Sequence, residues 1–153
     1  MARIYLASSW RNTMQPTMVD FLRMHEHEVY DFRNPPSGVP GFAWSEIDEN
    51  WQNWTAKEYR ERLTTHPIAA RGYVSDLRGM EWADVCVLLL PCGRSAHLEA
   101  GWFCGRGKRC IVLTQDGEEP ELMALLATDI CITPEEVIHR LAAPKKFQHQ
   151  ALN

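Results

Sequence analysis

Five short apolar runs, Ile4 to Ala7, Glu28 to Tyr30, Val85 to Leu90, Cys110 to Leu113 and Ile130 to Ile132, alternate along this chain with segments of helical character. Runs of that length are strand-sized, and strands separated by helix-sized stretches are joined by crossovers rather than hairpins. The alternation predicts an α/β fold, a parallel five-stranded sheet with helices on both faces. The helix starts are legible. Pro16 suits an early position of the first helix, Thr55 with Glu58 forms a capping box, and Thr133 with Pro134 and Glu136 forms another. Thr55 to Arg62 and Ile68 to Met80 read as two helices separated around His66-Pro67. At 153 residues and 45% hydrophobic content the chain is long enough for one well-buried core and short for two ordinary domains. Residues 1–143 are expected to form a single domain, followed by a polar, extended tail at 144–153.

The charge pattern narrows the partners. A formal charge of −4 with acidic and basic residues interleaved provides no basic stripe, which argues against a nucleic-acid polymer and leaves room for a small anionic ligand. No apolar stretch approaches membrane-spanning length, and Met1 leads directly into the strand-like Arg3-Ile4-Tyr5-Leu6-Ala7 rather than a signal peptide. A cytoplasmic protein with no membrane partner is expected. The cysteines, Cys86, Cys92, Cys104, Cys110 and Cys131, form no CxxC pair and suit reduced structural thiols, and His25-Glu26-His27 lacks the i, i+4 spacing of helical metal ligands. No metal site is expected. The segment after the first strand, Ser8-Ser9-Trp10-Arg11-Asn12, is not a GxGxxG, and Gly105-Arg106-Gly107-Lys108 is not a P-loop; these last glycines suit a helix end.

Open parallel sheets bind ligands beyond the carboxyl ends of their strands. Ser8, Ser9, Arg11 and Asn12 follow the first strand, Asp31, Arg33 and Asn34 the second, and Gly93, Arg94, Ser95 and Glu99 the third. Hydroxyls, guanidinium groups and carboxylates converging on one crevice suit a sugar or sugar phosphate, although each residue alone also suits a cap or a solvated loop. The step from Val85–Leu90 into Pro91 to Gly101 is expected to put Glu99 in the first turn of a helix, a favourable place for an anion. Such a carboxylate more often simply stabilises the helix, and it can also trap an oxocarbenium-like sugar covalently. In the second case Asp76 could protonate a departing base and the Tyr5 phenol could orient Glu99. Between Arg33 and Asn53 lies a long Pro- and Gly-containing segment that holds Phe42, Trp44 and Trp51 and runs on to Trp54. It suits either a lid stacking on a planar ligand or rings packed on the core or a partner subunit.

At these residues the chain resembles the nucleoside 2-deoxyribosyltransferase family and its relatives that hydrolyse nucleoside 5′-monophosphates. The similar stretches are Ile4-Tyr5-Leu6-Ala7, Asp31-Phe32-Arg33-Asn34-Pro35, and Ser75-Asp76-Leu77-Arg78-Gly79-Met80 through Ala83-Asp84 to Leu98-Glu99-Ala100-Gly101, with Gly107-Lys108 beyond. The resemblance implies a flavodoxin-like sheet, a homo-oligomer with sites near subunit interfaces, and no metal or organic cofactor. It also implies Glu99 as nucleophile toward C1′, Asp76 as the acidic residue at the leaving base and Tyr5 as the tyrosine near the nucleophile. The partner is then a small-molecule nucleoside or nucleotide. One departure bears on the substrate. Family members acting on free nucleosides usually carry an acid shortly before the nucleophile to hold the sugar 5′-hydroxyl, and here that stretch is Gly93-Arg94-Ser95. With Arg94 and Ser95 there instead, and Ser8 and Arg11 following the first strand, a 5′-phosphate becomes plausible; a solvated Arg94 and a helix-capping Ser95 are the plainer alternatives. At the level of function, a non-catalytic nucleotide-binding sensor and an NAD-type glycohydrolase remain as alternatives.

Overall fold

A computed structural model describes residues 1–39 and 41–144. Its five strands, β1 (Arg3–Ala7), β2 (Glu28–Tyr30), β3 (Val85–Leu89), β4 (Arg109–Leu113) and β5 (Asp129–Cys131), all pair in parallel in the order β2-β1-β3-β4-β5. This is the flavodoxin-like order, with its switch point between β1 and β3. The burial of β3 explains its central place: all of Val85–Leu89 is buried, as expected of an apolar run covered on both faces. The strands match the expected ones closely. β5 begins and ends one residue earlier than expected, and β3 stops at Leu89, although the Leu90 N–H still bonds to the Leu113 carbonyl at 3.0 Å.

The helices are α1 (Gln15–Met24), α2 (Ala56–Thr65), α3 (Pro67–Trp82), α4 (Arg94–Gly105) and α5 (Pro134–Ala142). The chain divides into two compact units, one of Met1–Asp31 with the chain from Trp82 onward, the other of Phe32–Glu81. In the first unit, Ile4 and Leu6 of β1, Val85 and Val87 of β3, and Ile111 of β4 form a core with Met18, Val19 and Leu22 of α1 and Val137 of α5. Alternate strand residues face the other way. Tyr5 lies there, stacked on Tyr30 with ring centroids 5.2 Å apart, and Phe103 of α4 packs against it at 5.8 Å. Helices therefore cover both faces, and each fully buried large side chain contributes roughly 1.5–3 kcal/mol. Arg109 locks the far edge: its guanidinium donates to the Ala143 carbonyl (2.9 Å), the Arg140 carbonyl (2.6 Å) and Asp129 (3.2 Å), joining β4 and β5 to the end of α5. The β4–β5 connection has only a short 3-10 turn, Leu122–Leu126, in which Leu122 is 75% and Leu125 59% exposed.

The second unit holds the aromatic segment and α2, with most of α3. The Thr55 capping box forms as expected, the Thr55 hydroxyl accepting from the Glu58 N–H while the Glu58 carboxylate accepts from Thr55 N–H at 2.8 Å. Phe42 meets Trp44 edge-on at 5.0 Å, and Trp44 meets Trp54 at 6.0 Å. The Trp54 indole donates to Asp48 at 2.8 Å. Gly72 admits this cluster to α3, because a Cβ there would stand 3.0 Å from the Phe42 ring. The rings thus pack on one another and on α3 of their own unit. Pro40 and the tail after Pro144 lie outside the described residues. Among the described residues no helix is long and apolar enough to cross a membrane.

Candidate active site

Polar side chains tie together the carboxyl ends of the first three strands in sequence. The Ser8 hydroxyl donates to the Leu89 carbonyl at 3.0 Å, and the Asn12 amide donates to the Pro91 carbonyl at 3.1 Å. Both bonds join the β1 exit to the β3 exit. Asn12 also accepts the Met14 N–H at 2.9 Å, an Asx turn that leads into α1, and its side chain is buried. Gln15, the first residue of α1, donates from its amide to the carboxylate of Asp31 at 2.8 Å, so the end of β2 is held as well. Ser8 and Asn12 are thereby engaged with the neighbouring loop, while Arg11 points into solvent beside them.

The turn after β3 leads to Gly93, which caps α4 in an extended conformation with no side-chain hydrogen bond. Arg94 and Ser95 are the first two helical residues and are exposed. The cap is therefore Gly93 and not Ser95. Its uncapped first turn leaves backbone N–H groups directed outward.

Glu99 is the sixth residue of α4 and stands in its second turn, not the first. The helix starts earlier than expected because its apolar stripe does: Ala96, Ala100 and Phe103 are all buried at i, i+4 and i+7 spacing, which requires helix from Arg94. Stabilisation by the helix dipole fades beyond the first turn, so that explanation for Glu99 weakens. What distinguishes Glu99 is its neighbourhood. It is half-buried and lies one turn before Phe103 on the same helix face, and Phe103 packs on Tyr5, which is 1% exposed. The Glu99 charge also reaches the β3 exit: the Cys92 thiol is pushed up to about 11, chiefly by burial, with the Glu99 and Glu118 carboxylates adding to it. The Cys92 sulfur lies 3.4 Å from Nδ1 of His97.

Three expected site residues belong to the second unit. Asp76 is the tenth residue of α3 and half-buried, next to the buried Ser75, whose hydroxyl lies 2.8 Å from that of Ser37. Arg33 is half-buried with its guanidinium 5.9 Å from the Phe32 ring. Trp44 sits in the aromatic cluster between Phe42 and Trp54.

Solved structures of the same architecture exist. A 2-deoxyribosyltransferase from the psychrotolerant bacterium Bacillus psychrosaccharolyticus superposes with a TM-score of 0.63 at 19% identity, covering 89% of this chain and 90% of that one. The chain has the 2-deoxyribosyltransferase fold. A CMP N-glycosidase from Clostridium botulinum follows at a TM-score of 0.50 and 16% identity, covering 92% of this chain and 99% of that chain. A conserved protein from Enterococcus faecalis V583 matches at 0.57 and 13% identity, over 91% of this chain and 96% of its own. No protein-family model and no curated protein matches the sequence.

Within this 2-deoxyribosyltransferase fold, two residues near the strand ends were passed over by sequence reasoning. Gln15 carried a usable signal, because it falls on the stripe of Met18, Val19 and Leu22, where an apolar residue is expected. Cys92, read from sequence as a structural thiol, carried none, since its contact with His97 five residues on depends on where α4 begins.

Proposed function

We propose that the chain cleaves or transfers the N-glycosidic bond of nucleosides or nucleotides, through a covalent sugar ester on Glu99. The observation that carries this reading is Glu99 itself, a half-buried carboxylate one turn from the Phe103–Tyr5 contact, on a fold shared with a deoxyribosyltransferase and a CMP N-glycosidase. A Glu99 oxygen attacks C1′ and forms a C–O bond as the C1′–N bond breaks. The electron pair of the broken bond goes to the base, which takes a proton from the Asp76 carboxyl group. Water or a second base then attacks C1′ and gives its proton to Asp76, and the ester bond breaks to return the Glu99 carboxylate. By the resemblance, Tyr5 orients the nucleophile, while Ser8, Arg11, Asn12, Asp31, Arg33 and Trp44 contribute to substrate binding.

The substrate we favour carries a 5′-phosphate. The uncapped N-terminus of α4, with Gly93 at the cap and Arg94 and Ser95 exposed beside it, is suited to an anion. The Clostridium relative of this fold acts on CMP. We further assign the protein to the cytoplasm as a homo-oligomer. Incubation with each nucleoside, deoxynucleoside and their 5′-monophosphates, with and without a second base, separates transfer from hydrolysis. Base release that disappears in Glu99→Ala supports the reading. Stabilisation by nucleotides with no base released from any of them replaces it with a sensor.

A further inference from the structure

We infer that Gln15 is a positioning residue, whose amide fixes the Asp31 carboxylate at the end of β2 for contact with a sugar hydroxyl; this rests on the glycosyl reading above. Gln15 is wholly buried, on the stripe where α1 otherwise presents Met18, Val19 and Leu22 to the core. A methionine would fill that place with no polar cost. The amide is instead half-used. Its Nε2 donates to Oδ1 of Asp31 at 2.8 Å, while its Oε1 is buried with no hydrogen-bond partner among the described residues. A buried acceptor left without a donor opposes folding, so packing does not account for an amide here. The donor does account for it. A hydrogen bond of 2.8 Å to a carboxylate that is itself only 6% exposed fixes the rotamer of Asp31. Gln15 is also tied to the adjoining strand exit, since its N–H bonds to the Asn12 carbonyl and the Asn12 amide bonds to the Pro91 carbonyl. The position of Asp31 is therefore set relative to the turn that leads into α4.

The test is a double-mutant cycle on the full chain with Gln15→Met and Asp31→Asn, using CMP or whichever deoxynucleoside 5′-monophosphate the parent turns over. Gln15→Met is expected to raise KM about tenfold with kcat within about threefold. Asp31→Asn is expected to match it, and the double variant to add nothing further. Gln15→Glu provides a rescue that a packing role does not: KM high at about pH 8, where two carboxylates repel, and restored at about pH 6, where a protonated Glu donates to Asp31. An unchanged KM in Gln15→Met, or effects that add in full, overturns the inference. If the parent releases no base the glycosyl reading fails separately, and the same cycle is read in nucleotide Kd by calorimetry, where absent binding or absent coupling overturns the inference too.

Discussion

In the proposed reaction Glu99 and Asp76 have opposite requirements, one a negative charge at the moment of attack and the other a proton to give, and their amide variants should then fail differently. Glu99→Gln is expected to lower base release by about 10³-fold or more while nucleotide binding, read by thermal shift, persists. Asp76→Asn should cost about 10²-fold for a poorly leaving base and far less for an activated one. A third residue sets a pH limit. His27 accepts the Ala2 N–H through Nδ1 at 3.1 Å, and burial, with nearby positive charge, lowers its pKa below the ordinary value of 6.5. The fold thus prefers the neutral ring. Its contribution is complete above the unfolded-state pKa and is lost as the pH falls through the lowered folded one. Urea midpoints measured downward from about pH 7 should therefore decline, and His27→Asn should flatten that decline. At this scale the candidate site was partly legible. Glu99 was singled out from a strand-to-helix step, but in the wrong turn, because Ser95 reads as a cap while the buried stripe of Ala96, Ala100 and Phe103 starts the helix at Arg94. That Ser8 and Asn12 turn toward Leu89 and Pro91 was not legible, since those partners lie about eighty positions away.

Elements were easier to read than their fastenings. The apolar runs predicted every strand to within a residue or so because strands covered on both faces are apolar along most of their length, and the Thr55 and Thr133 caps were visible because a cap is a local bond. The clamp at Arg109 was not, because it joins β4 to β5 and to the last turn of α5, segments that no local pattern connects. Its side chain and that of Asp129 are only 13% and 15% exposed, and removing one partner leaves the other charge poorly solvated. Arg109→Met is expected to lower stability by about 2–3 kcal/mol, read as a urea midpoint, and to free the last turn of α5 to amide exchange before the rest of the chain.

For the whole molecule, the β4–β5 connection matters most. A crossover in a parallel sheet usually covers its strands with a helix, yet here Leu122, Met123 and Leu125 are each more than half exposed. A homo-oligomer burying that surface would make the melting temperature rise with protein concentration, and Leu125→Glu should remove the dependence while leaving the dilute protein equally stable. The composition did not reveal this patch, because apolar residues in a connection look the same in sequence whether or not a helix forms over the sheet. The coupling of Cys92 to Glu99 has its own use. Two nearby carboxylates help to keep that thiol protonated, and a sugar ester on Glu99 would erase one of those charges. Alkylation of Cys92 should then run somewhat faster during turnover than at rest, in step with the fraction of enzyme that carries the sugar.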